Sequence, residues 1–221
     1  MLQFEELRDE KFDAIFADQG KIRAEAYLKM RHAFGLMIDG LCDAGFGQRE
    51  DENFTETPHR VAKYYLEMFK SDDERKKELE LNFSKTFKSD YQGIILQPNL
   101  RSYSMCPHHF LPIEIRATVA YIPGNSKNAV GLSKLARAVE ICAARPMLQE
   151  TLSHDIADAI MNLLKPAGCG VVIEGAHGCM RCRGVKQPDS WTITSEVRGT
   201  FENHDTKAEF MHLYQVNRKP D

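Results

Sequence analysis

Two short stretches of this 221-residue chain carry the side chains best suited to chemistry. One is Cys106-Pro107-His108-His109; the other is His177-Gly178-Cys179-Met180-Arg181-Cys182. A thiolate and an imidazole with two residues between them can meet one zinc ion. A lone C-x-x-H arises easily by chance, but a second cluster of thiols and an imidazole favours a shared metal over buried cysteines. Cys106, His109, Cys179 and Cys182 could close a Cys3His shell, the pattern of a structural zinc. Three protein ligands would instead leave one position for water, whose pKa zinc lowers toward ~7. Spacing does not choose between the two. His108 and His177 tilt the balance to catalysis, because a hydrolytic site can use an adjacent imidazole as proton donor or acceptor and a structural site has no need of one.

Basic residues gather at three places. Arg60 and Lys63 lie one turn apart after Thr57-Pro58, Lys134 and Arg137 one turn apart after Ser133, and Arg181 and Arg183 flank the second cysteine cluster. Helix N-termini favour anions, and arginine forks match phosphate oxygens. Singly, each of these is a surface charge; together, from three segments, they suit a triphosphate. Gln149-Glu150 opens a further helix. A carboxylate there by default favours the helix dipole. Buried, it could also accept from the N1–H and exocyclic amine of guanine, a donor pair that adenine lacks. The chain has no G-x-x-x-x-G-K-[ST] loop and no G-x-S-x-G, which sets aside the P-loop and serine-hydrolase arrangements.

These residues need a scaffold. Ala24, Leu28, His32, Phe34, Leu36, Met37 and Leu41 recur at helical spacing up to Gly45 and Gly47. Thr57-Pro58 reads as an N-cap and first helical residue, continuing through Val61, Tyr64, Tyr65, Met68 and Phe69. The charged run SDDERKKELELNF reads as a solvated helix face or loop. Ile113, Ile115, Ala117, Val119 and Tyr121 alternate as one face of a strand, ended by a turn at Pro123-Gly124-Asn125. Ser133 reads as the N-cap of a helix that Arg145-Pro146 breaks; the next helix buries Leu148, Leu152, Ile156, Ile160, Leu163 and Leu164 and stops at Pro166 and Gly168. Strands follow at 170–174 and about 191–201. The order, helices and then β–β–α–α–β–β, predicts an α+β fold with a mostly antiparallel sheet, divided into a helical region 1–89 and a second domain 90–221.

Bulk composition narrows the partners. The net charge of −3 provides no whole-chain basic field for nucleic acid. No stretch approaches the ~18–20 apolar residues of a membrane span. The start, MLQFEELRDEKFDAIF, is acidic and helical in pattern and lacks the basic and apolar regions of a signal peptide. A cytoplasmic protein is expected, in which the six cysteines are thiols, ligands or core residues.

The blocks TPHRVAKYYLEMF, CPHHFLP, AYIPG, GLSKLARAVEICAARPMLQETL and VVIEGAHGCMRCRGV, with the tail TKAEFMHLY, keep an order and spacing that resembles GTP cyclohydrolase I from about residue 20 to residue 213. The resemblance implies the tunnelling fold: a four-stranded antiparallel sheet, two helices between its second and third strands, and extra N-terminal helices. It implies hydrolysis of GTP at C8 to formate and 7,8-dihydroneopterin triphosphate, the first step of pterin- and folate-type biosynthesis. It further implies a homo-oligomer, typically a decamer with sites between subunits. Carried over residue by residue, it makes Cys106, His109 and Cys179 the zinc ligands and leaves Cys182 out. His108 and His177 become the proton-transfer histidines. Glu150, with Gln149 beside it, holds guanine, and Ser133, Lys134, Arg137, Arg183, Arg60 and Lys63 surround the triphosphate. Two positions depart from the family pattern: Pro107 stands where the family usually has Glu, and Cys182 is unexpected.

Overall fold

The computed structural model describes residues 9–218, so the first half of the acidic opening segment lies outside the described residues. Contacts divide the chain into two compact units, Met1–Phe69 and Lys70–Asp221.

The first unit holds α1 (Glu10–Gln19), α2 (Lys21–Asp43), α3 (Glu52–Thr55) and α4 (Thr57–Met68). Its core is Phe12, Ala24, Tyr27, Leu28 and Ala62. The apolar face expected of α2 is buried only in its first half; Leu36, Met37 and Leu41 are exposed. Thr57 is not an N-cap. Glu56 occupies that position, and the Thr57 hydroxyl donates to the Asn53 carbonyl at 2.9 Å.

The second unit begins with α5 (Asp72–Phe83), the charged run of the sequence. A reciprocal capping box between Ser71 and Glu74 starts it; it buries Arg75, Asn82 and Phe83, and Leu79 packs against the core. A two-residue strand, β1 (Phe87–Lys88), leads to β2 (Ile95–Met105) and β3 (Pro112–Ile122). After the turn at Gly124–Ser126, β4 (Asn128–Ala129) pairs back onto β1, a ribbon that the sequence pattern did not indicate. Next come α6 (Leu132–Ala143), α7 (Gln149–Leu164), β5 (Gly168–His177), the single turn α8 (Gly178–Arg181), β6 (Thr192–Gly199) and α9 (His204–Asn217). Gly131, not Ser133, caps α6, because the helix begins two residues earlier than the serine reading requires. The long sheet is antiparallel, in the order β2-β3-β5-β6. This is the expected α+β arrangement, with two helices between its second and third long strands.

The predicted alternation of β3 is realised: Ile113, Ile115, Ala117, Val119 and Tyr121 are buried in one cluster with Val171 and Ile173 of β5 and with Leu135, Leu152, Ile156 and Ile160 of α6 and α7. Each fully buried Ile, Leu or Val among them contributes ~1.5–3 kcal/mol. Leu148 departs from the predicted stripe: it precedes the helix as its N-cap residue and is exposed. The opposite sheet face buries Ala120 and Val172 against Phe201, Phe210 and Tyr214, the last two from α9.

Candidate active site

Sheet order explains why the two sequence clusters meet. β2 and β5 both run antiparallel to β3, so their C-terminal ends lie at the same edge. In register, Met105 faces Pro112 and Ile113 faces His177. The first cluster leaves β2 just after Met105, and the second straddles the end of β5. A tight turn carries the first: Phe110 N–H donates to the Cys106 carbonyl and Cys106 N–H to the Leu111 carbonyl, both at 2.9 Å. Phe110 accordingly takes φ 51°, the left-handed region that bulky residues seldom enter. Gly178 lets the second cluster pass close by, since a Cβ there would sit 3.0 Å from the Pro112 carbonyl oxygen.

Cys106 Sγ lies 3.8 Å from His109 Nδ1 and 3.9 Å from Cys179 Sγ. All three donor atoms fall within 4.8 Å of one another. Two thiolates held at ~2.3 Å from a tetrahedral zinc would be ~3.8 Å apart, so the donor set and its spacing fit that ion. Cys106 is buried, Cys179 half-buried and His109 exposed. Burial raises the Cys179 thiol above its ordinary pKa, and the neighbouring Cys106 adds to the effect. A divalent cation between them reverses this by favouring thiolates. Cys182 turns away, its thiol donating to the Gly178 carbonyl at 3.0 Å. Among the described residues the group therefore has three members, and the four-ligand shell that spacing allowed is not assembled.

A third segment is tied to the same edge. Met147 N–H donates to the Met105 carbonyl at 3.0 Å, and Ser104 Oγ to the Arg145 carbonyl at 3.0 Å. The α6–α7 connection is thus held against the end of β2, and α7 starts beside the donor cluster. His177 is half-buried, and its Nε2 lies 2.8 Å from Gln149 Oε1. Burial holds the His177 pKa below the ordinary 6.5, while the Glu150 carboxylate pulls it the other way. Glu150 itself is exposed in this chain, unlike the buried carboxylate of the guanine reading. His108 is also exposed, its ring 6.3 Å from that of His109.

The anion-binding candidates are placed less tightly. Lys134 is half-buried in the first turn of α6, where the buried Asn82 donates to its carbonyl at 2.8 Å; Ser133 and Arg137 are exposed nearby. Arg183 is exposed, whereas Arg181 stacks on Trp191 at 4.8 Å, a ring that Arg116 also meets at 4.3 Å. Arg60 and Lys63 belong to the first unit. There Arg60 donates to the Asn53 carbonyl at 2.9 Å and Lys63 pairs with Glu67 at 3.7 Å.

The family model of GTP cyclohydrolase I matches residues 43–215. The chain belongs to the GTP cyclohydrolase I family. A relative named GTP cyclohydrolase 1 from Geobacillus sp. (strain WCH70) is 45% identical over 188 residues, covering 85% of this chain and 96% of its own length. Another of that name, from Bacillus cytotoxicus, is 42% identical over 175 residues, covering 79% and 88%. Among solved structures, the apo archaeosine synthase QueF-Like aligns at 17% identity with a TM-score of 0.39, over 50% of this chain and 97% of that one. Membership of the GTP cyclohydrolase I family agrees with the sheet and helix order described above. No described helix is long and apolar enough to cross a membrane.

Sequence reasoning missed one contact of this site. Gln149 was read as a substrate contact beside Glu150, yet its side chain is only 2% exposed and points inward to His177. Gly175 and His177, two residues apart on a strand, share a face, and the glycine leaves room for a side chain from a neighbouring helix, but the sequence does not say which side chain fills it.

Proposed function

We propose that this protein hydrolyses GTP at C8 of the guanine ring, releasing formate and forming 7,8-dihydroneopterin triphosphate. The observation that carries the reading is the convergence of Cys106, His109 and Cys179, with His177 alongside, in a chain of this family. Cys106, His109 and Cys179 hold zinc, and Cys182 takes no part. When bound, zinc supplies the Lewis acidity that makes water a nucleophile at neutral pH. The residues of the chain do the rest. Glu150 accepts from the N1–H and amine of guanine, selecting it over adenine. Ser133, Lys134, Arg137 and Arg183 receive the triphosphate, joined by Arg60 and Lys63 from this or a neighbouring subunit. His177 and His108 exchange protons with the ring nitrogen and the leaving group as the C8–N bonds break. The ribose then opens, rearranges and recloses onto the base.

The working form in this reading is a cytoplasmic homo-oligomer, a decamer with sites completed between subunits, that opens pterin- or tetrahydrofolate-type biosynthesis. Incubating the protein with GTP, with and without a zinc chelator, tests it. Mass analysis should find formate and the dihydropterin triphosphate in equal amounts, and chelation should abolish both. Formate without pterin fluorescence would mean a reaction that stops after ring opening. GTP left intact by zinc-loaded protein would overturn the reading.

A further inference from the structure

The amide of Gln149 is saturated from within the chain in a way that assigns every one of its atoms. Its nitrogen donates to the Ile173 carbonyl at 3.0 Å and the Thr192 carbonyl at 2.9 Å, with Thr194 Oγ1 at 3.2 Å. Carbonyl oxygens only accept, so rotating the amide by half a turn would set oxygen against oxygen. Gln149 Oε1 is therefore an acceptor, and its 2.8 Å partner, His177 Nε2, must carry the hydrogen. A neutral imidazole has one N–H. Its lone pair then sits on Nδ1, which has no partner among the described residues.

Gly175 is built to this contact. A Cβ at that position would lie 2.0 Å from Gln149 Oε1 and 3.3 Å from His177 Nε2. Ser153 braces the same cluster, its hydroxyl 3.2 Å from the Gln149 carbonyl and 2.6 Å from Thr194 Oγ1.

We propose that Gln149 is a positioning residue: seated against Gly175, it fixes the His177 ring with its proton on Nε2, so that Nδ1 is the nitrogen that exchanges a proton with the substrate. The Nε2 proton stays on Nε2, donated to the Gln149 oxygen, throughout, and the proton given or taken travels at Nδ1 alone. Gln149 thus reaches the chemistry through His177 and makes no side-chain contact with the base. The proposal rests on the reading of His177 as a proton-transfer group.

Imidazole nitrogen NMR of histidine-labelled, zinc-loaded protein reads the tautomer directly, with the His177 signal assigned by its loss in His177→Asn. The wild-type ring should show hydrogen on Nε2. Gln149→Leu should lose that preference, and so should Gly175→Ala, whose methyl group displaces the amide without altering its chemistry. Both variants should keep zinc and lose kcat for GTP by ~100-fold or more, with KM changed by less than about threefold. A wild-type His177 carrying its single hydrogen on Nδ1 overturns the proposal, and this measurement needs no variant at position 149 or 175. Variants in which KM rises while kcat holds also overturn it, because that is the mark of a direct ground-state contact. If the wild-type protein leaves GTP untouched, the functional reading falls, and the NMR result decides the tautomer separately.

Discussion

Along β3 the odd-numbered residues from Ile113 to Tyr121 meet α6 and α7 and are all apolar, whereas the even-numbered Glu114, Arg116, Thr118 and Ala120 belong to the face closed by α9. The two faces handle polar groups differently. On the α7 face, polar side chains from β5 and β6 gather at the sheet's edge and end: Thr194 with Ser153 and Gln149, Arg198 with Glu196 and with Asp158 of α7, and His177 beside the cysteine–histidine cluster. On the α9 face a carboxylate is buried mid-strand. Glu174 accepts from the Tyr214 hydroxyl at 3.0 Å and from Arg218 Nε at 2.8 Å. Burial and the adjacent carboxylate push the Tyr214 hydroxyl up to about 12, so it stays a donor. One face spends its polar groups on one another; the other keeps an imidazole nitrogen open. Polar substitutions should therefore cost stability under α9 and chemistry at the start of α7.

The most severe test of that contrast is Cys106→Ser. Zinc content should collapse and turnover fall to background, beyond the ~10⁴-fold ceiling for removing a single acid–base group. Metal analysis beside a GTP assay checks it, and a zinc-free variant with full activity would sink the metal reading. His177→Asn should retain zinc and lose ~10²–10⁴-fold in kcat. Deep under α7, Leu152→Ala should cost ~2–5 kcal/mol, read as a shift in denaturant midpoint. Across the sheet, Tyr214→Phe should cost only ~1 kcal/mol and leave kcat unchanged, because Arg218 still pairs Glu174; a loss of turnover there would erase the distinction between the faces. The smallest effect concerns acid. The fold favours neutral His177, so its contribution is complete above 6.5 and is lost as pH falls through its lowered value. Metal-free protein should melt earlier on acidification, and His177→Asn should lose less Tm over the same range.

Periodicity was enough to read most of the scaffold. The β3 row and the stripe of α7 are visible because burial on one side imposes a repeat of 2 or 3.6 on residue type. The charged run of α5 shows no such repeat and reads equally as a helix face or a loop; in the structure the reciprocal capping box between Ser71 and Glu74 makes it a helix. Elements without such a repeat were not legible: the β1–β4 ribbon has two residues per strand, and α9 showed only as a family-like tail. Helix starts were misplaced at Thr57 and Ser133 because good capping residues also occur inside first turns, where Thr57 is satisfied by the Asn53 carbonyl and Ser133 is exposed.

By itself, the sequence determined the donor types, their division into two clusters, the order of elements and, through its motifs, the family. It could not fix which thiols come together. That depended on β2 and β5 ending at one sheet edge and on Cys182 bonding back to Gly178. Nor could it show that Gln149 turns inward to His177, because one residue along a helix rotates a side chain by about 100° and only packing against Gly175 decides which of two neighbours faces the core. Types and spacing are local properties; which atoms meet is a property of the folded chain.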